Sequence, residues 1–325
     1  MCSECSRLKA EEAILAPEVA ASVASITISY NGAEVLERHI DALLRQSVPL
    51  QEIIVVDNAS TDQTSSLIAA RYPQITVLRM TSNLGVGGAL ASGLAYAALE
   101  KKHDWVWMFD QDSVPAPDAL EVMLSETQPL ESRPVRVGII ACLPVDQNME
   151  ISCTPWFWSN GYVKPPAELL NCPVLFSDLV ITSGAMVRRE VVEAIGLPRS
   201  DFFIDFVDYE YCLRARSQGY QIAVITRAKL RHEVGKARKV RILGRPHLWS
   251  EHRPFREYYM SRNLAYSVWW LYPSMAAKGF VLRHLIRHAI AVLLFGPKRL
   301  DCFKKMVQGF FDGRRASLGV RFLPD

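Results

Sequence analysis

Four short runs of β-branched, aliphatic or aromatic residues, at 23–29, 52–56, 76–80 and 105–109, are separated by segments with helical spacing. The first such segment, 33–46, places apolar residues at 35, 36, 40, 43 and 44, and the later ones cover 61–71 and an Ala-rich 87–101. Strand and helix alternating in this way demand a parallel sheet with right-handed crossovers. The expected fold class is α/β, a Rossmann-like, mostly parallel sheet flanked by helices. Ligands of such sheets bind beyond the carboxyl ends of the strands. The polar clusters fall there: Tyr30-Asn31-Gly32, Asp57-Asn58-Ala59-Ser60 and Asp110-Gln111-Asp112.

The fourth run, Trp105-Val106-Trp107-Met108-Phe109, stops at Asp110 and Asp112. On an extended backbone an i, i+2 pair shares one face, so the two carboxylates repel unless a cation sits between them. A hard divalent ion, Mg²⁺ or Mn²⁺, with a diphosphate completing its shell, answers that need. Asp-Gln-Asp-Ser before Pro115 and Pro117 is also good turn chemistry.

Asp57 directly follows its strand, where an acid can accept hydrogen bonds from a base or ribose, or cap the next helix as Ser60 or Thr61 also could. Asn83-Leu84-Gly85-Val86-Gly87-Gly88 opens the Ala-rich helix. Its glycines are expected to let the backbone approach a ligand, and a helix N-terminus favours anionic oxygens. No Gly-Lys-Ser/Thr follows, which excludes a P-loop.

A second constellation is Phe202-Phe203-Ile204-Asp205-Phe206-Val207-Asp208-Tyr209-Glu210-Tyr211. Aromatic surroundings raise carboxylate pKa values and suit a general base. Asp208 as N-cap and Glu210 in the first turn would equally serve a helix over 209–217. The 142–178 segment reads as irregular, 179–188 and 221–225 as strands, and 189–195 as a short helix. His232 then follows a strand, where one imidazole could complete the metal set.

Charge divides the chain. Residues 1–226 carry 16 Lys/Arg against 28 Asp/Glu, a net of −12, and residues 227–325 carry 21 against 6, a net of +15. Seven scattered cysteines, with no secretory signal before them, favour reduced thiols and a cytoplasmic setting. The basic tail holds two apolar stretches, broken by Pro273, Arg283 and Arg287, that fall short of the roughly 20 residues of a spanning helix. Helices lying on an anionic membrane surface fit it, as does a helical subdomain packed on the catalytic part or on a second copy of the chain. Nucleic acid is not expected, for no recognition motif accompanies the charge. The expected divisions are a lead-in over 1–22, a catalytic domain over 23–240 and a basic helical region over 241–325.

Together with Ile28-Ser29-Tyr30-Asn31, Val55-Val56-Asp57-Asn58, Arg256-Glu257-Tyr258-Tyr259-Met260-Ser261-Arg262-Asn263 and Gln308-Gly309-Phe310-Phe311-Asp312-Gly313, these motifs resemble glycosyltransferase family 2, and within it a bacterial rhamnosyltransferase branch. The resemblance covers roughly residues 23–315. It implies a GT-A fold, a nucleotide-sugar donor such as dTDP-L-rhamnose, a divalent metal, and inversion during cell-surface polysaccharide synthesis. It implies a nucleotide-sugar site at Ser29, Asn31, Asp57, Asn83, Gly85, Gly87 and Asp110. The metal would be held by Asp112 and His232, with Asp110 on the ribose or on a metal-bound water. Asp208 would be the catalytic base, with Glu210 beside it and Asp205 on the acceptor or donor sugar. The acceptor would be a glycan or a lipid-diphosphate-linked glycan. Other donors (a UDP-hexose or UDP-galactofuranose) and a non-catalytic nucleotide-sugar or lipid-binding protein are the alternatives.

Overall fold

The structure, a computed structural model, describes residues 21–131, 134–159, 161–232, 237–242, 245–296 and 298–324. The lead-in expected over 1–22, with Cys2 and Cys5, lies almost wholly outside them. The first half follows the expected rhythm: β1 (Val23–Ser29), α1 (Leu36–Leu44), β2 (Glu52–Asp57), α2 (Thr64–Arg71), β3 (Thr76–Arg79), α3 (Gly85–Leu94) and β4 (Trp105–Asp110). These strands pair in parallel in the order β3-β2-β1-β4. All of β1 and the first five residues of β4 are buried, as parallel strands covered on both faces must be. Their side chains alternate between two cores. Ala24, Ile26, Val106 and Met108 face α3, whereas Val23, Trp105, Trp107 and Phe109 face α1 and the helix that follows β4.

Beyond β4 come β5 (Val114–Pro115), α4 (Ala119–Glu131), β6 (Val137–Val145), β7 (Phe157–Trp158), β8 (Tyr162–Val163), β9 (Val174–Ser177), β10 (Ala185–Arg188), α5 (Arg189–Ile195), α6 (Val207–Ser217) and β11 (Gln221–Arg231). The sheet continues β4-β10-β6-β11-β5, with β9 on the same edge of β11 as β5. β10 runs antiparallel to both neighbours while β6 and β11 are parallel. The strand expected over 179–188 is shorter because Gly184, at φ +81°, turns the chain and donates its N–H to Met108 O instead. The segment expected to be irregular contains the β7–β8 hairpin and β9, whose half-buried pattern lacks a long apolar run. β11 outruns its expected end through a register shift between Ile225 and Lys229, and so carries His232 to the strand ends.

A hairpin of β12 (Ala237–Ile242) and β13 (Arg245–Ser250) leads into α7 (Pro254–Tyr266), α8 (Met275–Phe295) and α9 (Arg299–Arg314). α9 lies backbone to backbone on α7, because Gly309 and Gly313 present no side chain. A Cβ at either would stand 2.2 Å from the carbonyl oxygen of Tyr258 or Arg262. Leu264, Val281, Leu285 and Met306 of these helices join the same apolar cluster as β1, β4 and α3.

Candidate active site

The carboxyl ends of β1, β2 and β4 open into a cleft of about 550 Å³, closed on its far side by Phe203, Ile204, His252 and Arg256. Asp110, Asp112 and His232 converge there. His232 Nδ1 lies 3.8 Å from Asp112 Oδ1 and 2.9 Å from Ser113 Oγ. Ser113 Oγ also meets Ser183 Oγ at 2.5 Å, and Ser183 in turn accepts from the Asp110 N–H. Beneath them His39 is fully buried, so desolvation lowers its pKa to about 4 and holds the ring neutral. Its Nδ1–H therefore donates to Ser113 O and its Nε2 accepts from Thr27 Oγ1. Burial raises the pKa of Asp110, and Asp112 raises it further while His232 works against both.

The strand-end polar set divides. Asn83, Gly85 and Asp110 line the cleft, but Tyr30 and Asn58 line it where Ser29, Asn31 and Asp57 were expected. Ser29 is buried and donates to Gln111 Oε1, and Asn31 Oδ1 accepts from Thr61 N. Asp57 is fully buried, with its oxygens bonded to Ser60 N and Ser65 Oγ. It serves the turn into α2, and contact with a ligand would require Ser65 to rotate away. The glycines act differently from the expectation too. A Cβ on Gly85 or Gly87 would stand 2.3 or 2.4 Å from Phe203 O or Arg199 O, so their bareness brings α3 against the 199–203 segment, and Gly85 lines the cleft as well.

That segment leads to the acidic constellation. Phe203, Asp205 and Phe206 all have φ near +64°, a left-handed conformation that bulky residues adopt only when their surroundings enforce it. Here α7 enforces it. Asn263 Nδ2 donates to the carbonyls of Phe202, Ile204 and Asp205 at 2.9, 2.8 and 2.8 Å. Arg262, fully buried, donates to the carbonyls of Asp201 and Phe202. Asp205 is held by Arg256, at 2.9 Å from Nη2 and 3.1 Å from Nε. Phe206, not Asp208, is the N-cap of α6. Asp208 sits one residue inside the helix, where burial, then the nearby charges of Asp205 and Asp110, raises its pKa to about 7 against the N–H groups of Tyr209 and Thr182. Glu210 lies elsewhere. Two helical residues are a rotation of about 200°, so Glu210 is buried on the other face, 2.9 Å from Arg214. It holds the helix and is not in the cleft.

Sequence reasoning passed over Ser183, His39, Arg256 and Asn263. Only Arg256 and Asn263 stand in a motif noted from sequence; a buried His or Ser carries no distinguishing pattern.

The sequence model of glycosyl transferase family 2 matches residues 25–196, over half of the chain. The chain belongs to glycosyl transferase family 2. This family 2 chain is similar to the dTDP-rhamnosyl transferase RfbF of Shigella flexneri, 26% identical over 283 residues that cover 82% of this chain and 87% of that one. It is also similar to the galactofuranosyltransferase GlfT1 of Mycolicibacterium smegmatis, 23% identical over 75% of this chain and 82% of that one. Among solved structures, S. aureus TarS in complex with UDP-GlcNAc matches with a TM-score of 0.58 at 14% identity, over 90% of this chain and 81% of that one. The mannosyltransferase PcManGT from Pyrobaculum calidifontis, in complex with GDP-Man and Mn²⁺, matches with a TM-score of 0.51 at 18% identity, over 90% and 73%. These likenesses are of fold, the GT-A type.

Proposed function

We propose that this family 2 chain is an inverting, metal-dependent glycosyltransferase that moves L-rhamnose from dTDP-L-rhamnose onto a hydroxyl of a glycan or lipid-linked acceptor. The observation that carries the mechanism is Asp208, a carboxyl whose pKa burial raises to about 7, in the first turn of α6 and so on a separate element from the Asp110/Asp112 pair. The nucleotide sugar occupies the cleft, with its base and ribose against Tyr30, Asn58, Asn83 and Gly85. Asp208 accepts the proton of the acceptor hydroxyl as that oxygen attacks the anomeric carbon from the face opposite the diphosphate. Arg256, steadied by Asp205, sets a fixed positive charge against the cleft.

The residues fit a divalent ion. Asp112 is 49% exposed in the cleft, and its separation of 3.8 Å from His232 can be bridged by one ion with bonds of about 2 Å. Among the described residues no three His, Cys, Asp or Glu side chains are placed to hold an ion together, so Asp112 and His232 would leave most of its shell open. That suits Mg²⁺ or Mn²⁺, which keep water and substrate phosphates in their shell. Asp112 and His232 would hold it, with Asp110 alongside, and it would supply charge stabilisation to the departing diphosphate.

No described helix is long and apolar enough to cross a membrane. α8 nevertheless exposes Met275, Leu282 and Ile286 along one side, with Arg283 and Arg287 on the adjoining flank. We assign this face of the 241–325 region to an anionic membrane surface carrying the acceptor. The similarity to a galactofuranosyltransferase supports UDP-galactofuranose as the second donor to consider.

Nucleotide diphosphate release from a panel of nucleotide sugars, with Mg²⁺ or Mn²⁺ and then EDTA, tests the reading. Release from dTDP-L-rhamnose that EDTA abolishes is expected. Turnover of a different donor alone would overturn the rhamnose assignment. Absence of metal-dependent nucleotide binding would overturn the enzyme itself.

A further inference from the structure

A pocket of about 240 Å³ lies between the C-terminal end of α1, β5, the end of β6 and β11, and it shares no lining residue with the nucleotide cleft. Its charged residues are of one sign. Arg45, Lys229 and Arg231 line it, and among the described residues no Asp or Glu does. The rest of the wall is apolar, chiefly Val114, Pro115, Val145 and Met149.

Strand alternation assembles the cluster. Ala228 and Leu230 are buried in the core beneath α1 and α4, so Lys229 and Arg231 project away from that core. β5 sets Val114 opposite Arg231, and the Ala116 N–H donates to Lys229 O at 2.9 Å. Arg45 arrives as the C-cap of α1, whose end is pinned alongside by Gln46 Nε2 donating to Ala116 O at 2.8 Å and by Ser47 N–H donating to Pro117 O at 2.8 Å. The three cations therefore stand on a braced frame.

They lack counterions. Among the described residues Lys229 and Arg231 form no ion pair, and Arg45 meets Asp41 only at 3.9 Å across an exposed turn, a contact of little strength. Burial lowers the pKa of Lys229, with no neighbouring carboxylate to offset it. Nearby acids are engaged elsewhere: Glu121 accepts from Ser47 Oγ, and Asp146 accepts from the N–H groups of Asn148 and Glu150 in its own turn.

Like charges around one recess focus a positive field. A neutral ligand leaves that field unanswered, and a carboxylate brings a single charge to three cations. A phosphate group carries roughly two charges at neutral pH, with several acceptor oxygens for two guanidinium forks and an ammonium. We propose that this pocket is a second anion site, for a phosphate monoester or diphosphate, separate from the place of the donor's own diphosphate. The phosphate arrives either as the free ion or on an organic body that packs on Val145 and Met149. The site stands independently of the donor assignment. Its strands also hold the metal end of the cleft, for β5 begins two residues after Asp112 and β11 ends one before His232.

The probes are inorganic phosphate, pyrophosphate and phenyl phosphate, with methyl glucuronide as the singly charged control. Binding to the full chain is read by calorimetric titration in EDTA, which keeps metal-held phosphate out of the nucleotide cleft. Variants are Arg45→Gln, Lys229→Gln and Arg231→Gln, with Arg256→Gln reporting any ion seated in the cleft. Melting curves on the same samples report folding, and Arg45, at an exposed helix end, keeps the test open should a β11 variant unfold. The expected result is binding of at least one phosphate probe, weakened about fivefold or more by each pocket substitution and unchanged by Arg256→Gln. Tighter binding of phenyl phosphate than of phosphate would assign the site to a carried phosphate, and the reverse to the free ion. Binding of no phosphate probe would overturn the proposal, as would methyl glucuronide binding equally well. So would binding that Arg256→Gln removes and the pocket variants leave alone.

Discussion

Arg256 reaches across the floor of the nucleotide cleft to grip Asp205, donating from Nη2 at 2.9 Å and from Nε at 3.1 Å. The pair joins α7 to the left-handed turn before α6, and its geometry is the two-pronged kind that lysine cannot reproduce. Arg256→Lys should lower kcat/KM for the nucleotide sugar by about tenfold or more, corresponding to loss of one charge-assisted bond. Asp205→Asn should do the same, and the double variant should be far less than additive. Additive losses in that cycle would show that the two residues act separately.

Asp208 must be ionised to act as a base, so turnover should rise with pH along a limb centred near its pKa of about 7. Asp208→Asn should abolish transfer while nucleotide still binds. Stability should move the opposite way. The folded pKa of about 7 exceeds the ordinary 3.8, so the folded state binds more protons between those values. Stability from this group is present below pH 3.8 and is lost as pH rises through 7. Thermal melts should therefore show Asp208→Asn more stable than wild type at pH 8 and indistinguishable from it near pH 4.

Removing the Asn263 amide leaves the carbonyls of Phe202, Ile204 and Asp205 without the donor that turns them. Asn263→Ala should destabilise the protein by about 2–4 kcal/mol. Asn263→Asp, which keeps the shape but has no N–H to donate, should be no better. Denaturant titration distinguishes these from a harmless substitution.

Gly309→Ala and Gly313→Ala test the α7–α9 contact. Each methyl would collide with a backbone oxygen rather than a flexible side chain, so a loss of about 1–3 kcal/mol is expected. Unchanged denaturation midpoints would mean that α9 can slide without disturbing α7.

Asp112→Asn and His232→Ala should each weaken metal-dependent nucleotide binding, read by titration with Mg²⁺ or Mn²⁺, and Asp112→Asn should leave the metal-free melting curve nearly unchanged. Asp112 is half-exposed, so little folding energy depends on it.

The parallel half of the sheet was legible because periodicity writes burial into sequence, and Trp105–Asp110 shows both the buried run and its acidic end. Asp112, His232 and Asp208 could be singled out since charge at a strand or helix end is conspicuous. Asp57 and Glu210 are ambiguous in sequence for one reason. A carboxylate beside a turn or in a first helical turn looks the same whether it faces ligand or backbone, and only the fold showed Ser65 and Arg214 already bonded to them. β10 is antiparallel and short, so its direction depends on partners far away in sequence, and local pattern holds no trace of it. The left-handed Phe203, Asp205 and Phe206 were hidden because aromatic residues are poor markers of positive φ.

The hold of α7 on that turn itself depends on residues far along the chain. Arg262 also donates to Gly319 O, and Tyr259 Oη accepts from the backbone N–H groups of Arg321 and Phe322, so residues 319–322 brace the template that shapes the turn before α6. Cutting the chain before residue 319 should therefore loosen that turn while the strand ends of β1, β2 and β4 keep their places.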